Sequence, residues 1–257
     1  MEIIDQLNRS LFLQETPNRI VSLVPSQTEL LVDLGLESKI VGVTKFCVHP
    51  NYLKKNKTIV GGTKNVDFEK IKSLKPDLVI CNKEENTFEM VTQLEEFVPV
   101  WVSDIGEISD CYEMVSTLGK IFGISDKSKS LISEIERSRN QFLLNTKTRP
   151  VRKVVYLIWK SPYMCAGRAT FISSLLKMNN FENIIAETDS RYPEIDLDIM
   201  RNADLVLLSS EPYPFKETDV ASLRKELKTD VMLVDGEYFS WYGSRLKDAF
   251  QYFEVLV

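Results

Sequence analysis

The segment TKFCVHP, residues 44–50, contains the only histidine of the chain and one of its four cysteines. Cys47 and His49 are two positions apart, which allows three interpretations: a metal site, a catalytic pair or a packed loop. Zinc takes three or four protein ligands, and this pair supplies two at most. A cysteine activated by a histidine is chemically possible, but no residue that would orient the histidine is evident. A packed loop with Cys47 buried and His49 partly exposed is the simplest interpretation.

Three large aromatic residues and an arginine lie close together in a second segment, DGEYFSWYGSRL, residues 235–246. Tyr238, Trp241 and Tyr242 fall within five residues, and Arg245 follows them. If all of them were buried in the core, the tyrosine hydroxyls would need hydrogen-bond partners. Aromatic faces suit a flat macrocycle, and an arginine can pair with carboxylates, amides or phosphates. We therefore predict that these four residues contact a ligand. The alternative is a helix start whose aromatic residues pack on the surface.

A third segment, IWKSPYMCAGRATFI (residues 158–172), combines large side chains with a glycine. Glycine lets a backbone approach a ligand closely because it has no side chain, and methionine adapts its shape to its neighbours. We predict ligand contacts from Trp159, Met164 and Arg168. Packing in the core would explain Trp159 nearly as well.

Charged residues make up much of a fourth segment, NKEEN, residues 82–86. Lys83, Glu84 and Glu85 follow a predicted strand, and we expect them to be solvated at the tip of a loop. The nearby GGTKN segment, residues 61–65, is too short for a phosphate-binding P-loop.

The composition is that of an ordinary soluble globular protein and argues against several functions. The formal net charge of -5 disfavours a nucleic-acid partner, because binding a phosphate backbone requires a basic face. The four cysteines are widely separated, so we expect free and mostly buried thiols. No apolar stretch reaches about 18 residues, so we expect no membrane insertion. We expect a cytoplasmic protein if Met1 is the native start, and a periplasmic one if a signal peptide was removed.

Short apolar runs alternate with helical patterns along the chain, which predicts parallel α/β structure. In the first helix, Ser26 is predicted to be the cap and Glu29 its capping-box partner. Ligands of parallel sheets bind at the carboxyl ends of the strands. We call the loops at that edge the carboxyl rim, and we predict a ligand contact from Gln27 in the first of them. In the first half these loops are residues 25–27, 44–50, 61–65 and 82–86.

The alternation is interrupted between the two halves of the chain. Residues 108–149 show only helical patterns, and the longest helix, residues 125–146, would extend for about 30 Å. We therefore predict an amino-terminal α/β lobe over residues 1–107 and a carboxy-terminal α/β lobe over residues 150–257. Two such lobes joined by one long helix would form a cleft, and clefts between domains are favoured ligand sites.

Several motifs resemble those of the ABC-transporter substrate-binding proteins with a helical backbone. Within that family, the resemblance is greatest to the cobalamin-binding members. The resemblance covers residues 17 to about 253. The motifs that carry it are PNRIVSLVPSQTELLVDLGL, KIVGVT, VGGTKNVDFEKIKSLKPDLVI, PYMCAGRATFISSLLKMNNFENIIA and DGEYFSWYGSRLKDAF.

The resemblance implies two Rossmann-like lobes that hold a corrinoid, haem or ferric siderophore in the cleft. It brings the loop of residues 44–50 to the ligand, so that Phe46 or His49 would touch it. A neutral imidazole also binds cobalt or iron, which makes His49 a candidate axial ligand to a bound cofactor. No catalytic cofactor is implied, and no residue is predicted to be catalytic.

The resemblance also implies a membrane permease as partner, which binds an acidic residue on each lobe. The amino-lobe residue corresponds to Glu69, and its carboxy-lobe counterpart to Asp196 or Asp198. Our leading hypothesis is a binding protein that serves ABC-type uptake or cytoplasmic cofactor handling. The alternative is an enzyme that uses Cys47 with His49, or Glu237, in the same cleft.

Overall fold

The apolar runs of the sequence form separate parallel sheets in the computed structural model, which describes residues 1–185 and 190–256. The chain divides into two compact units, and the predicted domain boundaries stay a prediction. The first unit consists of Met1–Ile105, Ser109–Glu136 and Tyr242–Arg245. The second consists of Gly106–Ile108, Arg137–Trp241 and the residues from Leu246 onward.

The first unit is built on a five-stranded parallel sheet and a small antiparallel hairpin. Its strands are β1 (Glu2–Ile4), β2 (Ser10–Phe12), β3 (Ile20–Ser22), β4 (Ile40–Val43), β5 (Thr58–Ile59), β6 (Leu78–Asn82) and β7 (Val100–Ser103). The helices that follow in chain order are α1 (Pro25–Asp33), α2 (Leu53–Asn56), α3 (Phe68–Ser73), α4 (Phe88–Glu95), α5 (Ile108–Ile121) and α6 (Ser125–Thr146).

The parallel strands run in the order β5-β4-β3-β6-β7, and the central ones are fully buried. This explains why they read as continuous apolar runs rather than as alternating patterns. Four parallel neighbours, β3, β4, β5 and β6, lead into the four loops predicted to form the rim. Because these strands are parallel, their carboxyl ends, and therefore the loops, lie at the same edge of the sheet.

The predicted cap of the first helix is wrong. α1 begins at Pro25 and is preceded by Val24, with no side-chain hydrogen bond to the first turn. Proline suits the first helical position because the N–H that it lacks would have no partner there. Ser26 therefore lies inside the helix, and the carboxylate of Glu29 pairs with Arg245 instead.

The long helix agrees with the expectation from the sequence. α6 has 22 residues, from Ser125 to Thr146, so its length is about 33 Å. Its residues up to Glu136 belong to the first unit, and those from Arg137 onward belong to the second. Within residues 1–185 and 190–256, every helix is too short or too polar to span a bilayer.

The second unit repeats the plan around parallel strands in the order β10-β8-β11-β12, with β9 antiparallel to β8. Two α/β lobes with one long connecting helix, as predicted, are therefore confirmed. The strands are β8 (Arg152–Trp159), β9 (Met164–Cys165), β10 (Phe181–Asn183), β11 (Leu205–Ser209) and β12 (Asp230–Val234). The helices are α7 (Phe171–Met178), α8 (Leu197–Met200), α9 (Glu217–Leu227), α10 (Gly236–Ser240) and α11 (Leu246–Glu254).

Candidate functional site

A buried network of polar side chains lies at the carboxyl rim of the first sheet. Gln27 in α1 donates through Nε2 to Ser103 Oγ at 2.5 Å and to the Tyr242 hydroxyl at 3.4 Å. Asn82, at the end of β6, donates through Nδ2 to the same Ser103 Oγ at 3.0 Å. All four side chains are buried, and Gln27 Oε1 has no hydrogen-bond partner among the described residues. The first unit thus has a polar interior directly at its rim.

Two predicted ligand contacts, Gln27 and Tyr242, belong to this network. Gln27 is 0% exposed and Tyr242 8%, so neither presents a free surface. Burial raises the pKa of the Tyr242 hydroxyl, and the nearby Glu85 raises it further, so the group stays neutral. A direct ligand contact from either residue stays a prediction.

The loop that contains Cys47 is anchored by the buried thiol. Cys47 Sγ lies 3.2 Å from Thr28 Oγ1 and 3.3 Å from Thr44 Oγ1, and the residue is 0% exposed. Burial raises the pKa of this thiol. A nucleophilic cysteine requires the opposite shift, so the alternative of an enzyme based on Cys47 is not supported.

Phe46 and His49 project from the same loop. Phe46 is 48% exposed, and the Lys45 ammonium lies 5.0 Å from the centroid of its ring. His49 is half-buried and lies close enough to Glu29 for a positive charge on the imidazole to lower the pKa of that carboxyl. Both predicted ligand contacts of this loop therefore remain accessible.

Arg245 is already paired within the first unit. Its Nε donates to Glu29 Oε2 at 2.9 Å and its Nη2 to Glu29 Oε1 at 2.7 Å, which is the two-point geometry that a guanidinium favours. The side chains are only 12% and 17% exposed. A ligand would therefore meet an arginine whose charge is neutralised by Glu29.

The NKEEN segment is less solvated than the sequence indicated. Lys83 is exposed and pairs with Asp104 at 2.6 Å, as expected for a loop tip. Glu85 differs, because it is half-buried and burial raises the pKa of its carboxyl. Asn86 donates to the carbonyl oxygen of Thr63 at 2.8 Å, which ties this loop to the neighbouring one.

In the second unit, the aromatic segment is fixed by a residue that the sequence analysis missed. Trp241 Nε1 donates to Glu211 Oε1 at 2.8 Å, and Ser240 Oγ donates to the same oxygen at 2.8 Å. Trp241 is consequently only 7% exposed. Tyr238 stacks on Tyr252 with the ring centroids 4.7 Å apart. The expected set of exposed aromatic residues is therefore packed, and its ligand contacts stay predictions.

An aromatic pair with one exposed member lies elsewhere on the carboxyl rim of the second sheet. Trp159, at the end of β8, is 41% exposed and packs edge-on against Tyr213 with the centroids 5.5 Å apart. Met164 is half-buried, and Arg168 is exposed with its Nε 3.4 Å from the carbonyl oxygen of Asn183. Tyr213 was missed, although the SSEPYPF segment directly after a buried strand is a detectable signal of rim residues.

The predicted docking residue Glu69 lies at the start of α3. The helix is capped by Asp67, whose carboxylate accepts from the backbone N–H of Lys70 at 2.9 Å. Glu69 is exposed in the first turn and pairs with Lys72 at 2.9 Å.

The start of α8, which contains both candidate counterparts of Glu69, has the same arrangement. Asp196 is the cap, and its carboxylate accepts from the backbone N–H of Ile199 at 2.9 Å. Asp198 is exposed in the first turn and pairs with Arg201. By position, Asp198 is equivalent to Glu69, whereas Asp196 has a capping role. Docking by either residue stays a prediction.

Known proteins resemble this chain over most of its length. The ABC transporter substrate-binding lipoprotein YvrC of Bacillus subtilis is 29% identical over 72% of this chain and 61% of its own length. The vitamin B12-binding protein of Pectobacterium atrosepticum is 22% identical over 90% of this chain and 85% of its own. The periplasmic heme-binding protein RhuT of Roseiflexus has the same fold, with a TM-score of 0.79 and 20% identity over 93% of this chain and 97% of its own.

These comparisons agree with the resemblance found in the motifs. They also confirm the expectation of a binding protein rather than an enzyme. The sequence model described as "Periplasmic binding protein" matches residues 20–232, which is most of the chain. The chain therefore belongs to the periplasmic binding protein family.

Proposed function

We propose that this protein binds a metal chelate, namely a corrinoid, a haem or a ferric siderophore, and delivers it to an ABC-type permease. The observation that carries the proposal is the presence of exposed aromatic residues at the carboxyl rim of each parallel sheet. Phe46 is 48% exposed on the first rim, and Trp159 is 41% exposed on the second. Such faces suit large conjugated ligands, and strand ends are where parallel sheets bind ligands.

The relatives support this class of ligand. The Pectobacterium protein is named for vitamin B12 and the Roseiflexus protein for heme. Both names describe a metal held in a large ring, and aromatic faces recognise such a ring by stacking. The match to YvrC covers 61% of the length of that lipoprotein. A role of this chain in uptake is therefore part of our proposal.

We also propose that the protein acts outside the cytoplasm. The related proteins include a lipoprotein and periplasmic binding proteins, and the expectation of a cytoplasmic protein finds no support among them. An uptake component in that compartment would meet its ligand before the permease does.

We predict that His49 coordinates the metal of a ligand that has an exchangeable position. Aquocobalamin and ferric haem change their visible spectra when an imidazole becomes a ligand. Titration of the wild-type protein should therefore give a saturable spectral change with at least one of them, and His49→Ala should abolish that change. A ferric siderophore, whose iron has no free position, should bind both proteins with the same spectrum.

The outcomes of this titration separate two statements. A spectral change that persists in His49→Ala would show that His49 is not a metal ligand, while ligand binding would stand. If none of the three chelates binds to the wild-type protein, the proposed function itself is contradicted.

We further propose that Glu69 and Asp198 dock on the permease. Both are exposed in the first turn of a capped helix, so their carboxylates can reach a basic partner. Glu69→Arg and Asp198→Arg should each weaken binding to the permease about tenfold, because a like charge replaces an attractive one. The binding can be measured with the permease in lipid nanodiscs.

A matched control is available for docking. Glu226 is exposed in α9, and its charge reversal should leave permease binding unchanged. Asp196→Asn keeps a capping oxygen and should also be neutral if Asp198 is the docking residue. A loss in Asp196→Asn without a loss in Asp198→Arg would reverse the assignment.

A further inference from the structure

The exposed ring of Phe46 packs close to the backbone of Gly62, where an added side chain would crowd it. A Cβ on Gly62 would be 3.3 Å from Phe46 Cε2 and 3.6 Å from Lys45 Cε. The aromatic ring and the lysine stem therefore both rest on bare backbone. The Lys45 ammonium lies 5.0 Å from the ring centroid, within the range of a cation–π contact. We call Lys45, Phe46 and Gly62 the cationic platform.

The platform is held by the backbone of two neighbouring loops. Lys45 N donates to the carbonyl oxygen of Gly61 at 2.8 Å, and Gly62 N donates to that of Asn65 at 2.7 Å. Phe46 N also donates to Thr44 Oγ1 at 3.3 Å. These bonds hold the backbone that carries a half-exposed aromatic ring, so a ligand would find this segment preorganised.

The charge of the platform is not neutralised by the protein. In the described part of the chain, neither Lys45 nor Lys54 forms an ion pair with a carboxylate, and Lys54 Nζ lies 3.3 Å from the Lys45 carbonyl oxygen. These two positive charges belong to a chain whose formal net charge is -5. Elsewhere in residues 1–185 and 190–256, ion pairs with carboxylates are formed by lysines that include Lys70, Lys72, Lys83 and Lys160.

Two other positive charges of the rim are already paired with carboxylates. Lys83 is paired with Asp104, and Arg245 with Glu29. Burial raises the pKa of Glu85, which weakens the tendency of that carboxyl to be negative, while Lys64 acts in the opposite direction. An incoming ligand therefore meets the Lys45 ammonium beside an exposed ring, while the Lys54 ammonium is bound to the Lys45 carbonyl oxygen.

We propose that the cationic platform selects a ligand that combines a flat conjugated surface with anionic substituents, such as carboxylates or phenolates. This inference rests on the proposed function and narrows it to negatively charged metal chelates. Phe46 would contact the conjugated surface, and Lys45 would pair with the anionic group that this contact brings near. A chelate without net charge would gain only the aromatic contact, so the platform would discriminate between the two.

The test compares three chelates in the wild-type protein and in Lys45→Gln. Ferric haem has two carboxylates, a ferric tris-catecholate is strongly anionic, and cyanocobalamin has no net charge. We expect at least one anionic chelate to bind more tightly than cyanocobalamin. Lys45→Gln should then weaken its binding about threefold to tenfold, and added salt should reduce that difference. Dissociation constants can be measured by quenching of tryptophan fluorescence.

Two further variants serve as controls. Lys129→Gln removes an exposed lysine of α6, away from the rim, and should leave every dissociation constant unchanged. Phe46→Leu keeps an apolar side chain but removes the aromatic face, so it should weaken the anionic chelate while its sensitivity to salt persists. Thermal unfolding of each variant shows whether it is folded.

The results distinguish this inference from the proposed function. If cyanocobalamin binds most tightly and Lys45→Gln has no effect, the protein is a chelate-binding protein and the inference is wrong. An anionic chelate that is insensitive to Lys45→Gln and to salt also overturns it. Failure of all three chelates to bind to the wild-type protein contradicts the proposed function, and the inference with it.

Discussion

Arg245→Ala is expected to lower the free energy of unfolding by about 2–3 kcal/mol. The substitution removes both hydrogen bonds to Glu29, at 2.9 and 2.7 Å, and leaves an unpaired carboxylate that is only 17% exposed. A carboxylate in that environment has lost much of its hydration and gains nothing in return. Urea unfolding at pH 7 measures the effect directly.

The same variant should have a characteristic pH dependence. Burial raises the pKa of Glu29 above its ordinary value, while Arg245 and His49 lower it. A carboxyl whose pKa is raised in the folded state stabilises the protein fully below its unfolded pKa, and that stability is lost as the pH rises through the folded pKa. Removing Arg245 raises the folded pKa further. The deficit of Arg245→Ala should therefore be largest at pH 7 and shrink as the pH falls towards the ordinary pKa of Glu29.

The double variant Glu29→Gln/Arg245→Ala is the matched control, because it removes both charges. It should recover most of the stability at pH 7 and lose the pH dependence, since a neutral amide replaces the buried carboxylate. If Arg245→Ala instead unfolds like the wild type while ligand affinity falls, Arg245 is mainly a ligand contact, as the sequence predicted. Equal deficits at pH 7 and pH 5 would show that the protonation state of Glu29 does not change between these two pH values.

The fold was largely predictable because its signals are local. Strand β8 is a mostly apolar run from Arg152 to Trp159, and α6 covers the predicted residues 125–146. Fully buried parallel strands require continuous apolar runs, and the intervening helices require a periodic apolar face. The order of these patterns determines an α/β architecture, and the motifs then identify the family.

The candidate site was less predictable because its contacts are remote in sequence. Trp241 and Tyr242 were expected on the surface, since their polar atoms would be costly to bury without partners. The structure provides those partners from Glu211, 30 residues away, and from Gln27, 215 residues away. Spacing along the chain contains no information about either pair.

The same limit applies to single segments that belong to a distant part of the fold. Tyr242–Arg245 is compact with the first unit, although it follows the last strand of the second. Arg245 consequently pairs with Glu29, 216 residues away. No local pattern indicates that the charge of Arg245 is already neutralised by Glu29.

Gly61→Ala is expected to lower the free energy of unfolding by about 3 kcal/mol or more. This is a large loss of stability for the addition of one methyl group. Gly61 has φ +132°, a conformation that residues with side chains rarely adopt. A Cβ there would also lie 2.5 Å from the carbonyl oxygen of Asn65 and 2.8 Å from Val66 Cα. Both are backbone atoms, so the turn cannot accommodate the methyl group by rotating a side chain.

Gly123→Ala is the matched comparison, because it separates backbone strain from the steric clash. Gly123 also has a positive φ, +66°, but a Cβ there would meet nothing within 4 Å. Its replacement by alanine should lower the free energy of unfolding by only about 1 kcal/mol, from backbone strain alone. Similar costs in the two variants would mean that the turn at Gly61 opens easily.

Gly61→Ala also tests whether the turn supports ligand binding. The carbonyl oxygen of Gly61 accepts from Lys45 N at 2.8 Å, so moving the turn displaces the backbone that holds Lys45 and Phe46. We therefore expect weaker binding of an anionic chelate by Gly61→Ala even at a temperature where the variant is folded, and wild-type affinity for Gly123→Ala. If both variants bind the chelate with wild-type affinity, the turn at Gly61 contributes to stability but not to ligand binding. A rim that had shifted could not present the Phe46 ring and the Lys45 ammonium group in the same positions.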